Sequence, residues 1–242
     1  DIVARGYDVK HFIDTPLMEY NSSFKNAQTY FGKRALDIVI SLLMLILTSP
    51  IMLVAAIAIK VEDGGSVFFK QARVGQDGKV FNILKFRSMI MDAEKDGKPR
   101  PAVAGDSRIT KVGKILRSTR LDELPQIFNI LLGQISLVGP RPERTEHIDL
   151  YTKELPEFRY RLRVPAGLTG YAQIYGKYNT SARDKLLLDL LYIEQQSFLM
   201  DMRIVFLTVK IMFTPESAEG FDEKKSKAIS QKANGEKQTA DV

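Results

Sequence analysis

Between Ile38 and Ile59 the chain runs for about 22 residues almost without a polar side chain. A helix advances about 1.5 Å per residue, so such a run can cover the ~30 Å hydrocarbon core of a bilayer. Its middle carries Thr48-Ser49-Pro50. A proline there removes a backbone donor and crowds the carbonyl of Ile46, while the neighbouring hydroxyls can bond the carbonyls that it frees. Lys33 and Arg34 precede the run and Lys60 follows it, whereas a simple spanning helix is usually flanked asymmetrically by basic residues. The favoured reading is a re-entrant helix–break–helix turned at Ser49 and Pro50, with both ends facing the cytoplasm. A kinked spanning helix and the core helix of a soluble protein fit the same residues.

The rest of the chain divides around this run. Residues 1–30 mix polar and aromatic residues without sustained periodicity and read as a leader or the end of an upstream region. Asp14-Thr15-Pro16 suggests a turn before a short helix. No small-residue cleavage site follows a short apolar core, so no signal peptide is expected. Val67-Phe68-Phe69 and the run Val80 to Phe86 flank Gly75-Gln76-Asp77-Gly78, the pattern of a hairpin turned by Asp-Gly. Met91 to Gly105 is charged, contains Pro99 and Pro101, and reads as a mobile loop beside any site. Ile109, Val112 and Leu116 recur at helical spacing among Arg108, Lys111, Lys114 and Arg117, which gives a basic amphipathic helix. Arg203 and Lys210 share one face of an otherwise apolar helix that also suits an interface. After Pro215 the chain is too polar to bury much surface and is expected to be disordered.

Several chemistries are absent from the sequence. There is no cysteine, hence no disulfide framework, thiolate metal site or thiol nucleophile. Neither a Gly-Lys-Ser/Thr phosphate loop nor Gly-x-Gly-x-x-Gly occurs. The only histidines are His11 and His147, and neither has a partner in view, which disfavours histidine-based catalysis. A net charge of +6 favours an anionic partner, which nucleic acid, anionic lipid and phosphorylated substrates would all satisfy.

The candidate chemistry lies in Leu121-Asp122-Glu123-Leu124-Pro125-Gln126, where two adjacent carboxylates precede a proline suited to a helix start. Carboxylates there are favoured electrostatically and can hold Mg²⁺ beside a phosphate. Downstream, Gly139-Pro140-Arg141-Pro142 brackets one arginine between prolines that restrict the backbone, and a fixed guanidinium suits a diphosphate. Lys85 and Arg87 lie two apart on a strand, hence on one face, and Arg117 precedes Asp122 by five residues. These are further candidate cations.

Taken in order, Lys33-Arg34 with Asp37, the apolar run broken at Ser49-Pro50, Lys85-Phe86-Arg87-Ser88-Met89, Leu121 to Gln126, Gly139 to Pro142 and Pro165-Ala-Gly-Leu-Thr-Gly170 closely resemble the bacterial sugar transferases, the monotopic phosphoglycosyl transferases. The resemblance covers about residues 31–214. It implies a cytoplasm-facing enzyme of the bacterial inner membrane that uses Mg²⁺, a UDP-sugar donor and a polyprenyl phosphate acceptor, usually undecaprenyl phosphate, in assembly of a surface polysaccharide or glycoconjugate. It also implies that Asp122 is nucleophile and metal ligand, with Glu123 as its proton-handling partner. Lys85, Arg117, Arg141 and Asp201 fall on the family's active-site positions, and Arg87 and Pro142 join them as expected substrate contacts. Lys177 stands where an arginine is common and cannot reproduce a guanidinium's two-pronged contact.

The expected architecture is mixed α/β and mainly helical, with a re-entrant membrane hairpin over 31–62, a catalytic domain over 63–214 that includes a small β-hairpin, and a disordered tail over 215–242. The chain could form a homo-oligomer, and inner-membrane lipid is an expected partner. A noncatalytic basic module binding anionic lipid is the alternative, although it leaves Asp122-Glu123 unexplained. Nucleic acid is not an expected partner, since only charge supports it.

Overall fold

A computed structural model of the chain describes residues 7–12, 15–20, 27–93, 106–176 and 180–212. The expected tail, most of the loop before Gly105 and Lys177 lie outside the described residues. The architecture is mainly helical with short paired strands, as the sequence leads one to expect. Two strands open it, β1 (Tyr7–Phe12) and β2 (Thr15–Tyr20), paired antiparallel from Tyr7↔Tyr20 to Phe12↔Thr15. This replaces the short helix expected after Asp14. Two residues separate runs that pair end to end, which is hairpin spacing.

Helix α1 (Ala27–Asp63) has 37 residues, about 55 Å at the α-helical rise. Among the described residues it is the one helix long and apolar enough to cross a membrane, over Phe31–Asp63. Contrary to the expected break, its backbone stays helical through Pro50. The physical reason is local. Ser49 Oγ donates to the Ile46 carbonyl at 2.9 Å, which Pro50 cannot reach, and Thr48 Oγ1 donates to Met44 O at 2.7 Å.

One stripe of α1 packs on the body. Asp37, Ser41, Met52, Ala55 and Ile59 are buried at spacings of three and four, or sums of them, which place residues on one helix face. Ile40 and Met44 pack on the main core of Ile130, Ile135, Leu137, Val138, Tyr192 and Ile204. Met52, Ala55 and Ile59 form a second cluster with Phe86 and Leu116. Most of the other faces are exposed and apolar, Leu47 at 75% and Val61 at 80%.

Both ends of α1 are tied to the same body. Near the N-terminus Arg34 donates to the Ile130 and Leu131 carbonyls at 2.6 and 2.8 Å. Asp37 Oδ1 accepts from Ser136 Oγ and the Leu137 amide, each at 3.0 Å. At the other end Glu62 accepts from the amides of Lys111 and Val112, and Asp63 pairs with Arg87.

The expected hairpin follows as β3 (Phe68–Val74) and β4 (Val80–Phe86), antiparallel, turning through Gln76–Gly78. Asp77 (φ 55) and Gly78 (φ 77) take the positive φ that this turn needs. Helix α2 (Lys111–Ser118) is capped by Thr110, whose Oγ1 accepts from the Gly113 amide at 2.9 Å. Helix α3 (Gln126–Leu131) leads into β5 (Ser136–Val138), and α4 (Thr145–Glu154) and a 3-10 segment (Pro156–Arg163) lead to β6 (Gly167–Thr169). β5 and β6 pair in parallel, an arrangement the sequence reading did not anticipate. Helices α5 (Tyr171–Tyr175), α6 (Ala182–Gln195) and α7 (Phe198–Met212) close the described chain.

Gly113 shows how closely α2 approaches the hairpin's exit: a Cβ there would lie 2.1 Å from Ser88 O. Gly113→Ala is therefore expected to destabilise the protein by about 2 kcal/mol, read as a lowered melting temperature in detergent. Gly32→Ala, with nothing within 4 Å of the added Cβ, serves as the control and is expected to keep or slightly raise the melting temperature, since alanine is the better helix former. Equal melting temperatures would show that α2 docks differently.

Candidate active site

Leu121 and Leu124 pack against the cluster on α1. Asp122 and Glu123 lie between these two anchors in a single 3-10 turn, Leu121–Glu123, closed by Leu124 N donating to Leu121 O at 3.2 Å. Arg120 enters the turn at φ 55, a left-handed conformation that costs a non-glycine residue about 1–2 kcal/mol. Pro125 then starts α3. Asn129 fixes α3 to the hairpin: its Oδ1 accepts from the Leu84 amide at 2.9 Å and its Nδ2 donates to Asn82 O at 2.8 Å. The position of the acidic turn beside β4 follows from this docking.

Lys85 on β4 and Arg141 after β5 converge on one atom. Lys85 Nζ and Arg141 Nη2 each donate to Glu123 Oε1 at 2.8 Å. Burial alone would raise the Glu123 pKa, but the charges of Arg141 and Lys85 and their hydrogen bonds outweigh it and hold the carboxyl well below the usual range. That arrangement suits holding two cations in place better than carrying a proton. Asp122 behaves oppositely. Burial and the Glu123 charge push its carboxyl up, against the pull of Lys85 and Arg117. Among the described residues no other side chain hydrogen-bonds the Asp122 carboxylate. Arg117 Nη1 is also buried without a hydrogen-bond partner.

The other expected site residues make contacts of their own. Arg87, buried against Gly65, pairs with Asp63 and secures the end of α1. Asp201 on α7 takes Lys33 Nζ at 2.6 Å and the Tyr192 hydroxyl at 2.9 Å, and so ties α7 and α6 to the start of α1. Pro142 is buried beside Arg141. His147 lies 3.7 Å from Glu143 and its side chain is 45% exposed.

The blocks Gly139-Pro140-Arg141-Pro142 and Pro165 to Gly170 prove to be one unit. Gly139 N donates to Thr169 O and Gly167 N to Pro140 O, each at 2.9 Å. A Cβ on Gly139 would meet Pro165 O at 2.3 Å, so glycine lets the two strands approach. Sequence reasoning missed Asn129, Arg73 and Arg161. Asn129 did carry a signal, as the one polar residue within Ile127 to Leu132.

Among the described residues no three His, Cys, Asp or Glu side chains gather as a metal cluster. Mg²⁺ commonly needs only one or two carboxylates, completing its shell with water and phosphate oxygens. Asp122, an oxygen donor with no competing side-chain partner, fits that requirement.

The model of the family described as Bacterial sugar transferase matches residues 28–215. The chain belongs to this family. Similar members include the UDP-glucose:undecaprenyl-phosphate glucose-1-phosphate transferase of Klebsiella pneumoniae, 44% identical over 88% of this chain and 45% of that protein. The UDP-N-acetylgalactosamine-undecaprenyl-phosphate N-acetylgalactosaminephosphotransferase of Aeromonas hydrophila is 43% identical over 76% of this chain and 44% of its own length. A UDP-glucose:undecaprenyl-phosphate glucose-1-phosphate transferase of Caulobacter vibrioides is 42% identical over 77% and 71%. The chain thus spans about half the length of the first two family members.

Glu143, just past Arg141, is buried and pairs with Lys185 and, at 3.6 Å, with Arg161. Burial opposes its ionisation, but those cations win and hold its carboxyl below the usual range. A depressed native pKa adds stability that is complete above the unfolded value of about 4.3 and is lost as pH falls through the native one. Glu143→Gln is expected to lower the melting temperature at pH 7 and to flatten the loss of stability on acidification below about pH 4.5. An acid limb as steep as the wild type's would assign that loss to other carboxylates.

Proposed function

We propose that this chain is the catalytic part of a phosphoglycosyl transferase that moves a sugar-1-phosphate from a UDP-sugar to undecaprenyl phosphate and releases UMP. The observation that carries the reading is the convergence of Lys85 and Arg141 on Glu123, beside an Asp122 carboxylate that takes no side-chain hydrogen bond among the described residues. The printed activities of the relatives support it.

In the proposed reaction an Asp122 oxygen attacks the sugar-linked phosphorus of the donor. The bond from that phosphorus to the bridging oxygen breaks, and UMP leaves with the electron pair. An oxygen of undecaprenyl phosphate then attacks the same phosphorus, Asp122 departs as carboxylate, and undecaprenyl diphosphate-sugar forms. A carboxylate nucleophile splits one difficult transfer into two steps. Lys85, Arg117 and Arg141 would bind the phosphate oxygens and stabilise the charge that develops on them. Glu123 would orient Lys85 and Arg141. Mg²⁺, held by Asp122 with phosphate oxygens, would supply further charge neutralisation.

Helix α1 supports a seat in the membrane. A spanning helix delivers its ends to opposite sides, whereas both ends of α1 are bound by the same body, at Arg34 and Asp37 and again at Glu62 and Asp63. This supports a helix embedded along one leaflet rather than crossing both, with the catalytic body on the cytoplasmic face of the inner membrane. Exposed Phe198, Leu199 and Phe206 on α7 offer further apolar surface for lipid.

The direct test is UMP release by purified protein from UDP-glucose, UDP-N-acetylgalactosamine and other UDP-sugars with undecaprenyl phosphate. Release is expected to need the lipid, to stop with EDTA and return with Mg²⁺, and to fall by about 10³-fold or more in Asp122→Asn, the scale seen when an enzyme loses its nucleophile. Membrane retention without lipid-dependent release from any donor would favour the lipid-binding module instead.

Topology has its own test, which the absence of native cysteine makes clean. Single cysteines replacing Phe31 and Val61, 70% and 80% exposed, are expected to react with an impermeant maleimide from the cytoplasmic side only. Labelling of one from each side would mean that α1 spans.

A further inference from the structure

Arg141 can address Glu123 only if its backbone stays in place, and the segment that presents it is short of the usual means. Pro140 and Pro142 carry no amide hydrogen, so the segment is held through its carbonyls instead. Four consecutive carbonyls each receive a donor, from three separate parts of the chain. Pro140 O accepts from Gly167 N and Glu143 O from Val74 N, both at 2.9 Å. Arg141 O accepts from Arg161 Nη2 at 2.9 Å and Pro142 O from Arg73 Nη1 at 3.0 Å.

The two guanidiniums are themselves fixed. Arg161 is 2% exposed, pairs through the same Nη2 with Asp189 on α6 at 2.8 Å, and lies over the Phe158 ring at 4.8 Å. Arg73 on β3 also donates from Nη2 to Gln71 Oε1 at 2.6 Å. Gathering cations here is electrostatically unfavourable: burial and then the Arg141 charge pull the Arg73 guanidinium down to about 10. Neither arginine touches Glu123.

We propose that Arg73 and Arg161 are positioning residues for Arg141, clasping consecutive carbonyls so that its guanidinium is fixed where the donor's diphosphate binds. The role of the diphosphate rests on the transferase reading; the clasp does not. The planar fork of Arg73, bonded through both Nη atoms, restrains direction as well as distance, and a displacement of about 1 Å at a reacting site can cost ~100-fold in rate.

The test combines kinetics with hydrogen exchange on the full chain in detergent. Arg73→Gln is expected to lower kcat/KM for the UDP-sugar by about 10- to 100-fold with a melting temperature near the wild type's. Added to Arg141→Ala it is expected to cost nothing further, because it acts through Arg141. A residue that only supports the fold would instead multiply the two losses, and that result overturns the proposal, as does an unchanged kcat/KM in Arg73→Gln. Hydrogen exchange in the peptide spanning 136–144 is expected to speed up in Arg73→Gln. The same is expected in the double variant Arg161→Leu/Asp189→Leu, which removes both buried charges together so that neither is stranded. This arm needs no turnover. A wild type that releases no UMP therefore sinks the transferase reading by itself, while unchanged exchange sinks the clasp.

Discussion

Helix α1 has to satisfy two surroundings at once, and the remainder of the structure is arranged around that. One narrow stripe, from Asp37 through Ser41 and Met52 to Ile59, is buried against the body, while most of the other faces present apolar side chains that only lipid or another apolar surface could cover. The stripe supplies the floor for Leu121 and Leu124, and so for the acidic turn between them. Polar residues at both ends of the helix are used up in fixing it: Lys33, Arg34 and Asp37 at one, Glu62 and Asp63 at the other. The flanking charges that a topology rule would count are therefore structural bonds as well.

At the site two neighbouring carboxylates are driven in opposite directions by their surroundings. Glu123 receives two cations on one oxygen and stays ionised; Asp122, partly desolvated and beside a like charge, holds its proton more readily. Such divergence between adjacent groups is common where chemistry is done. It depends on Lys85 and Arg141 arriving from separate elements, and the Asn129 side chain registers one of those elements against the acidic turn.

Much of this was legible before any coordinates. The β3–β4 hairpin and the basic helix α2 follow from local patterns, alternation and helical spacing, whereas the association of Lys85 and Arg141 with the acidic pair was implied by the family resemblance. What was not legible depends on partners far away in the chain. Arg87 looked like a companion of Lys85 because both follow the strand's period of two, yet its partner is Asp63. Asp201 pairs with Lys33, 168 residues away. The β5–β6 pair escaped because each strand is only three residues long, too short for any periodicity. Pro50 suggested a break that the neighbouring hydroxyls would make tolerable, whereas the Ser49 hydroxyl replaces the lost bond within a continuous helix.

The parallel pairing of β5 with β6 also sets an order of events in time. Val138 meets Thr169, and the intervening loop must close first, at an entropic cost of about 3 kcal/mol for roughly 30 residues. During synthesis the acidic turn and the hairpin emerge before Gly167 exists to hold Pro140 in place. The segment that carries the arginine is therefore completed late: a nascent chain halted before β6 would hold the contacts of Arg73 and Val74 to residues 142 and 143 but lack that of Gly167 to Pro140.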